Sequence, residues 1–304
     1  VKVVLLAGGG GGARFARGLD DVLEPGELTV IGNVGDDLEI LGLHVSPDLD
    51  SLLYTLAGLI DEKRGWGRTG ETWNALESAG AWGGESWFRL GDLDLGLHLV
   101  RTQALREGVP LSELTARLVD RVGLESRIFP ATDDRLRTMV VTPAGTFSFQ
   151  EWYVGRKHQD DVDHVEYDRA DEALAAAGVL EALEAADAIL IAPSNPYLSI
   201  GPILAVRAIR RAIERRHVRC VAVSPLIGGT AVTGPAGRML SRMAGGATPR
   251  HVTDCYLGLI DSLVIDESDA PAKASVELVV AQTRMSDREA ERRLAEAVLE
   301  AACA

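Results

Sequence analysis

Four short apolar runs punctuate the chain. Residues 1–7 (VKVVLLA), 28–33 (LTVIGN), 188–192 (AILIA) and 220–223 (CVAV) are aliphatic and β-branched, without regular polar alternation. Such runs predict parallel strands buried on both faces. Each ends at glycine or small polar residues: glycines 8–12, then Asn33, then Pro193-Ser194-Asn195, then Ser224-Pro225. Ligands of open α/β sheets bind beyond the carboxyl ends of the strands, so these run-ends are where a site is expected.

Apolar residues recur at helical spacing over residues 14–23, 51–60 (SLLYTLAGLI), 93–107, 111–122, 203–216 and 287–302. Asp48 and Asp50 precede the second segment as candidate caps, and Gly108-Val109-Pro110 separates the third from the fourth. Residues 61–180 break the strand–helix rhythm. They hold two or three helices and a hairpin predicted over 136–142 and 146–150, around Pro143-Ala144-Gly145. The pattern predicts an α/β fold with a mostly parallel sheet, in one domain over residues 1–304, with an inserted lid-like region at about 61–180.

Composition adds limits. With 304 residues, 46% hydrophobic and 25% charged, the chain can bury a substantial core. The net charge of −14 repels a polyphosphate backbone and argues against nucleic-acid binding. A small phosphorylated ligand is still allowed, because a metal ion can reverse the local field. Cys220, Cys255 and Cys303 are scattered and lack metal-ligand spacing, which fits a reducing cytoplasm. No apolar run approaches the ~20 residues that span a bilayer. The first strand, followed at once by glycines, reads as a buried strand and not a signal peptide.

Five segments carry candidate chemistry. The glycines at 8–12 follow a strand and precede a helix, so Gly9, Gly10, Gly11 and Gly12 could present N–H groups to an anion, with Arg14 as a fixed positive charge. A tight turn without a ligand is the alternative. No Lys-Ser/Thr pair of a Walker loop follows, and the second strand ends in Asn33 and not the acid that reads a ribose. Next, Asn33-Val34-Gly35-Asp36-Asp37 and Pro47-Asp48-Leu49-Asp50 gather four carboxylates, the hard oxygen ligands that Mg²⁺ takes, or else an Asx turn and a helix cap. On a helix, Asp94, His98 and Arg101 share one face, either to orient a substrate or as a solvated stripe. Pro130-Ala131-Thr132-Asp133-Asp134-Arg135 and Phe149-Gln150-Glu151-Trp152 flank the hairpin. Their aromatics, like Trp66, Trp73 and Trp82, could stack on a flat heterocycle or fill a core. Finally, residues 192–204 (APSNPYLSIGPIL) place Ser194, Asn195 and Ser199 near a helix start, and Ser224-Pro225-Leu226-Ile227-Gly228-Gly229 repeats that logic at the next strand end. No nucleophile elbow and no His-Glu-x-x-His zinc motif is present.

Taken together, GGGGGAR, GNVGDD, SPDLD, RGWG with ETW, GDLDLGLHLVRT, PATDDR, FQEW, APSNPYLSIGPIL and SPLIGG with GPAG resemble the CofD/FbiA family nearly end to end. Its members are the 2-phospho-L-lactate transferases of archaea and the phosphoenolpyruvate transferases of actinobacteria. The GWG, ETW, PATDDR and QEW segments look more like the bacterial branch. A YvcK-like nucleotide-binding regulator shares the glycine start and the GN-x-x-DD element and is the alternative.

The resemblance implies a Rossmann-like three-layer α/β sandwich, a homodimer and a Mg²⁺ requirement. It also implies transfer of a phosphate-linked three-carbon acid from a guanosine diphosphate conjugate to the deazaflavin FO, with GMP leaving. On that basis Gly9, Gly10, Gly11, Gly12, Asn33, Ser194, Asn195 and Gly228 would hold the guanosine diphosphate, and Asp37 and Asp48 the metal. Asp36, His98 and Arg101 would lie near the reacting groups, and Thr132, Asp133 and Trp152 toward the deazaflavin.

Overall fold

The computed structural model describes residues 1–303. Its strands are β1 (Val3–Ala7), β2 (Leu28–Gly32), β3 (Leu38–Ile40), β4 (Leu43–Val45), β5 (Arg127–Pro130), β6 (Arg137–Thr142), β7 (Gly145–Ser148), β8 (His164–Asp168), β9 (Ala188–Ile191), β10 (Cys220–Val223), β11 (Leu226–Ile227), β12 (Thr230–Ala231), β13 (Ser262–Asp266) and β14 (Glu277–Ala281). Its helices are α1 (Gly9–Val22), α2 (Pro47–Leu56), α3 (Asn74–Ala81), α4 (Asp92–Arg106), α5 (Leu111–Arg121), α6 (Val179–Glu184), α7 (Gly201–Ala205), α8 (Arg207–Glu214), α9 (Ala236–Met243), α10 (Pro249–Cys255) and α11 (Arg288–Cys303).

A seven-stranded sheet in the order β14-β13-β10-β9-β1-β2-β5 forms the centre, and every neighbouring pair in it is parallel. The four expected runs are four of its five inner strands, and β1, β2, β9 and β10 are buried at every position. Alternate residues feed two cores. Leu6, Ile189, Ile191 and Leu263 pack against Ile203, Ile209 and Tyr256 on one face. Leu5, Val30, Leu190 and Val264 pack against Phe15, Leu52 and Val298 on the other. This is the expected Rossmann-like sandwich, helices covering both faces of a parallel sheet.

Three sheet strands, β5, β13 and β14, extend the predicted set. β5 carries Arg127 and Pro130 at the sheet edge, where a missing N–H costs no ladder bond. It lies within the segment expected beside the sheet at 61–180. The rest of that segment includes the antiparallel sheet β7-β6-β8, whose hairpin was predicted and whose third strand was not. The helix predicted over 203–216 breaks at Val206 into α7 and α8 and is preceded by a π-helical turn, Pro196–Ile200. The helix expected at residue 14 already starts at Gly9, so the glycines form its first turn. Asp48 and Asp50 lie inside the first turn of α2, behind the cap position held by Ser46. No helix among the described residues is long and apolar enough to cross a membrane.

Candidate active site

β1 is the topological switch point. The chain passes from β1 to β2 on one side, while β9 borders β1 on the other. Loops leaving adjacent strands in opposite directions open a crevice at their carboxyl ends. Here the glycines of α1, the Asn33 segment and the Ser194 segment meet. Ser194 Oγ donates to Gly8 O at 2.8 Å. A Cβ on Gly12 would stand 2.9 Å from Ser194 Oγ, and one on Gly8 would stand 2.7 Å from Asp48 Oδ2. Side chains at these glycines would fill the approach. Gly9, at φ +70°, lies beside Ser199 Oγ, and Gly11 beside Pro193 O.

Asn33 is wholly buried and joins three elements. Its Nδ2 donates to Asp48 Oδ2 (2.9 Å) and Leu198 O (3.3 Å), and its Oδ1 accepts from Gly35 N (2.7 Å). Asn195 Oδ1 accepts from Tyr197 N (2.9 Å) and Leu198 N (3.3 Å), capping the π-helical turn. Both asparagines therefore hold the loops in place.

Asp36, Asp37 and Asp48 are buried together at the end of β2 and the start of α2. Asp37 Oδ2 accepts from Ser46 Oγ (2.9 Å) and lies 3.0 Å from His44 Nε2. Asp36 Oδ1 and Asp37 Oδ1 are buried without a partner. Burial pushes Asp48 up to about 6, with Asn33 and the Gly9 N–H opposing and the Asp37 and Asp50 charges adding. Burial likewise raises Asp36 well above the ordinary carboxylate range, reinforced by the charge of Asp48. Among the described residues, no three acid, imidazole or thiol side chains stand at metal-binding spacing. Mg²⁺ asks less of a protein, one or two carboxylates completed by substrate phosphate and water. Crowded acids with unpartnered oxygens fit that demand.

His98 and Arg101 are deeper than the function-bearing helix face implied. Arg101 is 2% exposed and pairs with Asp50 through Nη1 at 3.0 Å and through Nη2. Its Nη1 lies 3.3 Å from His98 Nδ1. Burial lowers His98 to about 4, against the pull of Asp50, so the imidazole is neutral near pH 7. The trio braces α4 against α2 beneath the acidic cluster.

Other expected contacts are occupied within the fold. Arg14 donates to Met285 O at 3.1 Å, and its Nε lies 3.4 Å from Glu291. Asp133 accepts from Ser112 N (2.6 Å) and Ser112 Oγ (2.8 Å), capping α5 from a distance. Thr132 Oγ1 accepts from Asp134 N at 3.0 Å. Gly228 sits in the β11–β12 turn at φ +59° and donates to Asp269 Oδ2 at 3.2 Å. Trp152 is fully buried and donates to Asp160 O at 3.3 Å, so it is core and not a stacking surface. Its neighbour Tyr153 is the half-buried ring, stacked on Phe149 at 5.1 Å and close enough to Asp36 to feel its charge. The sequence signalled an aromatic cluster here without distinguishing its inner from its outer member.

Residues 61–69 hold the RGWG segment and Trp66. The structure folds this loop over α1, with Gly65 O 3.6 Å from where a Cβ on Gly10 would stand. Glu62 contacts Arg17 of the same helix.

The model of the family "2-phospho-L-lactate transferase CofD" matches residues 3–302. The chain is 44% identical to a phosphoenolpyruvate transferase of Streptomyces coelicolor, over 91% of this chain and 88% of that protein. To that of Thermobifida fusca it is 43% identical, over 95% and 94%. A Bacillus halodurans protein of the UPF0052 family has a solved structure that superposes with a TM-score of 0.64 at 18% identity, over 98% of this chain and 99% of that one, and so shares the fold. By sequence along nearly its whole length, the chain belongs to the CofD family of transferases.

Proposed function

We propose that the protein moves a phosphate-linked three-carbon acid, enolpyruvate or lactate, from a guanosine diphosphate conjugate to the side-chain hydroxyl of FO in coenzyme F420 biosynthesis. The observation that carries this reading is the meeting of opposites at the switch point. The N-terminus of α1, open at its glycines, attracts an anion. The acids Asp36, Asp37 and Asp48 facing it attract a hard cation. A metal-bound diphosphate satisfies both.

In the reaction, the FO hydroxyl oxygen forms a bond to the phosphorus bearing the three-carbon acid. The bond from that phosphorus to the bridging oxygen breaks, and GMP leaves. Such transfer depends on positioning and charge stabilisation. Asp48, with Asp37, would hold Mg²⁺, which when bound neutralises charge on the diphosphate. Asp36, its proton affinity raised by burial, takes the hydroxyl proton. Asn33 and Asn195 hold the loops, and the N–H groups of Gly10, Gly11 and Gly12 face the phosphates. Tyr153 takes the flat-ring role first expected of Trp152. We place the protein in the cytoplasm as a homodimer, consistent with three free cysteines and the family resemblance.

The test is incubation with FO, guanosine enolpyruvyl diphosphate and Mg²⁺, alongside the lactyl donor. GMP and a phosphodiester of FO are expected. No turnover with either donor, together with tight binding of another nucleotide, would sink the reading.

A further inference from the structure

Two side chains converge on one oxygen of Asp37. Oδ2 accepts from Ser46 Oγ at 2.9 Å and lies 3.0 Å from His44 Nε2, while Oδ1 is buried with no hydrogen bond. A carboxylate that serves only the fold gains by spreading its donors over both oxygens, because a buried oxygen without a partner is costly. Loading one oxygen and sparing the other fixes the rotation of the group instead.

Both donors are committed to Asp37. Ser46 holds the cap position of α2, where a serine hydroxyl ordinarily accepts from a first-turn N–H. Its hydroxyl makes no such bond, and its proton goes to Asp37. His44, half-buried in β4, is anchored from the opposite side. Its N donates to Thr102 Oγ1 at 2.8 Å, and that hydroxyl donates to His98 O at 2.6 Å. The hairpin with β3 sets His44 opposite Glu39. A chain of contacts from α4 therefore ends on Asp37 Oδ2.

Arg101 does not take the spared oxygen. Its charge reaches Asp37, but its Nη donors go to Asp50. The charge of Asp37 in turn acts on Asp36 and Asp48, so the group belongs electrostatically to the acidic cluster.

We propose that His44 is the positioning residue of the cation site: its Nε2–H, with the Ser46 hydroxyl, turns Asp37 so that Oδ1 is left for Mg²⁺. This rests on the transferase reading, in which Asp37 and Asp48 hold the cation. A carboxylate that holds a metal is ionised and only accepts hydrogen bonds, so the His44 proton belongs on Nε2. Groups that orient a metal ligand govern affinity without touching the metal.

The test is calorimetric titration of Mn²⁺, standing in for Mg²⁺, into wild type, His44→Ala, His44→Gln and His44→Asn. GDP is present throughout, and the heat of Mn²⁺ binding to free GDP is subtracted. A Gln side chain carries its amide N–H at the reach of Nε2, whereas Asn carries it at the reach of Nδ1. Affinity for Mn²⁺ should fall about 10–100-fold in H44A and H44N, the range for losing a group that orients a ligand, and stay within about threefold of wild type in H44Q. Recovery in H44Q also reports an intact fold. A role in packing alone would move the Gln and Asn variants alike. Wild-type Mn²⁺ affinity in H44A overturns the proposal. So does a fall in H44Q as deep as in H44A, which would make the shape of the ring, and not its Nε2 donor, the feature that matters. Wild type that binds no Mn²⁺ beyond that held by free GDP overturns the metal reading itself, and the His44 assignment with it.

Discussion

Asn33 Nδ2 donates to Asp48 Oδ2 across 2.9 Å of fully buried space, tying the end of β2 to the first turn of α2. The same amide donates to Leu198 O, so one side chain fixes the acidic cluster relative to the loop after β9. Replacing Asn33 by Ala strands buried partners on three elements. A loss of about 2–4 kcal/mol in stability is expected, with turnover falling at least in proportion. Denaturant midpoints and kcat on the same preparations check it. An unchanged midpoint would remove Asn33 from this role.

Asp48→Asn keeps the shape and removes the charge. Turnover should fall by about 10²-fold or more while the fold survives. Retained activity at ordinary Mg²⁺ concentrations would exclude Asp48 from the metal-binding set.

The same substitution should stabilise the metal-free protein. Asp48 has a folded pKa of about 6 against 3.8 unfolded, so between those values the folded state binds the extra proton. Its contribution therefore weakens as pH rises from about 4 to 6 and stays unfavourable above that. At pH 7 metal-free Asp48→Asn should exceed wild type by roughly 2–3 kcal/mol, a gap that closes toward pH 4. His98 slopes the other way, since its pKa is lowered to about 4, and gains stability as pH rises from about 4 to 6.5. The difference between variant and wild type across pH isolates Asp48, and thermal melts in a chelator measure it.

Arg101→Ala leaves Asp50 buried and unpaired. The expected cost is about 3–5 kcal/mol, with the donor KM nearly unchanged in whatever folds. A raised KM without loss of stability would return Arg101 to the substrate.

Trp152 and Tyr153 should separate cleanly. Trp152→Ala empties a core position and should cost about 3–5 kcal/mol. Tyr153→Ala should be milder on stability and raise the KM for FO several-fold. Steady-state kinetics with FO as the varied substrate distinguish them, and an unchanged KM would discard the stacking role.

Four inner strands were legible because burial on both faces leaves uninterrupted apolar runs, as in VVLLA and AILI, whereas the fifth, β13, is just as buried but begins at Ser262 and ends at Asp266. The edge strands were not, because β14 is fully buried at no position and β5 is bounded by Arg127 and Pro130. At the site, Asn33, Asp48 and Ser194 were found because strand ends have a fixed relation to the crevice. Arg14 was given a role from its charge beside the glycine turn, and Asp133 and Trp152 from the family resemblance. Their partners Glu291, Ser112 and Asp160 are set by tertiary packing, which spacing does not encode.

Arg17 and Glu291 form a two-pronged buried bridge at 2.8 Å and 2.9 Å between segments 274 residues apart. A chain leaving the ribosome therefore makes α1 early and can pack it against α2, but the part of its face that α11 covers stays open until α11 emerges. Until translation has passed residue 291, the Arg17 guanidinium has no Glu291 to pair with, so this part of the core closes among the last steps of folding.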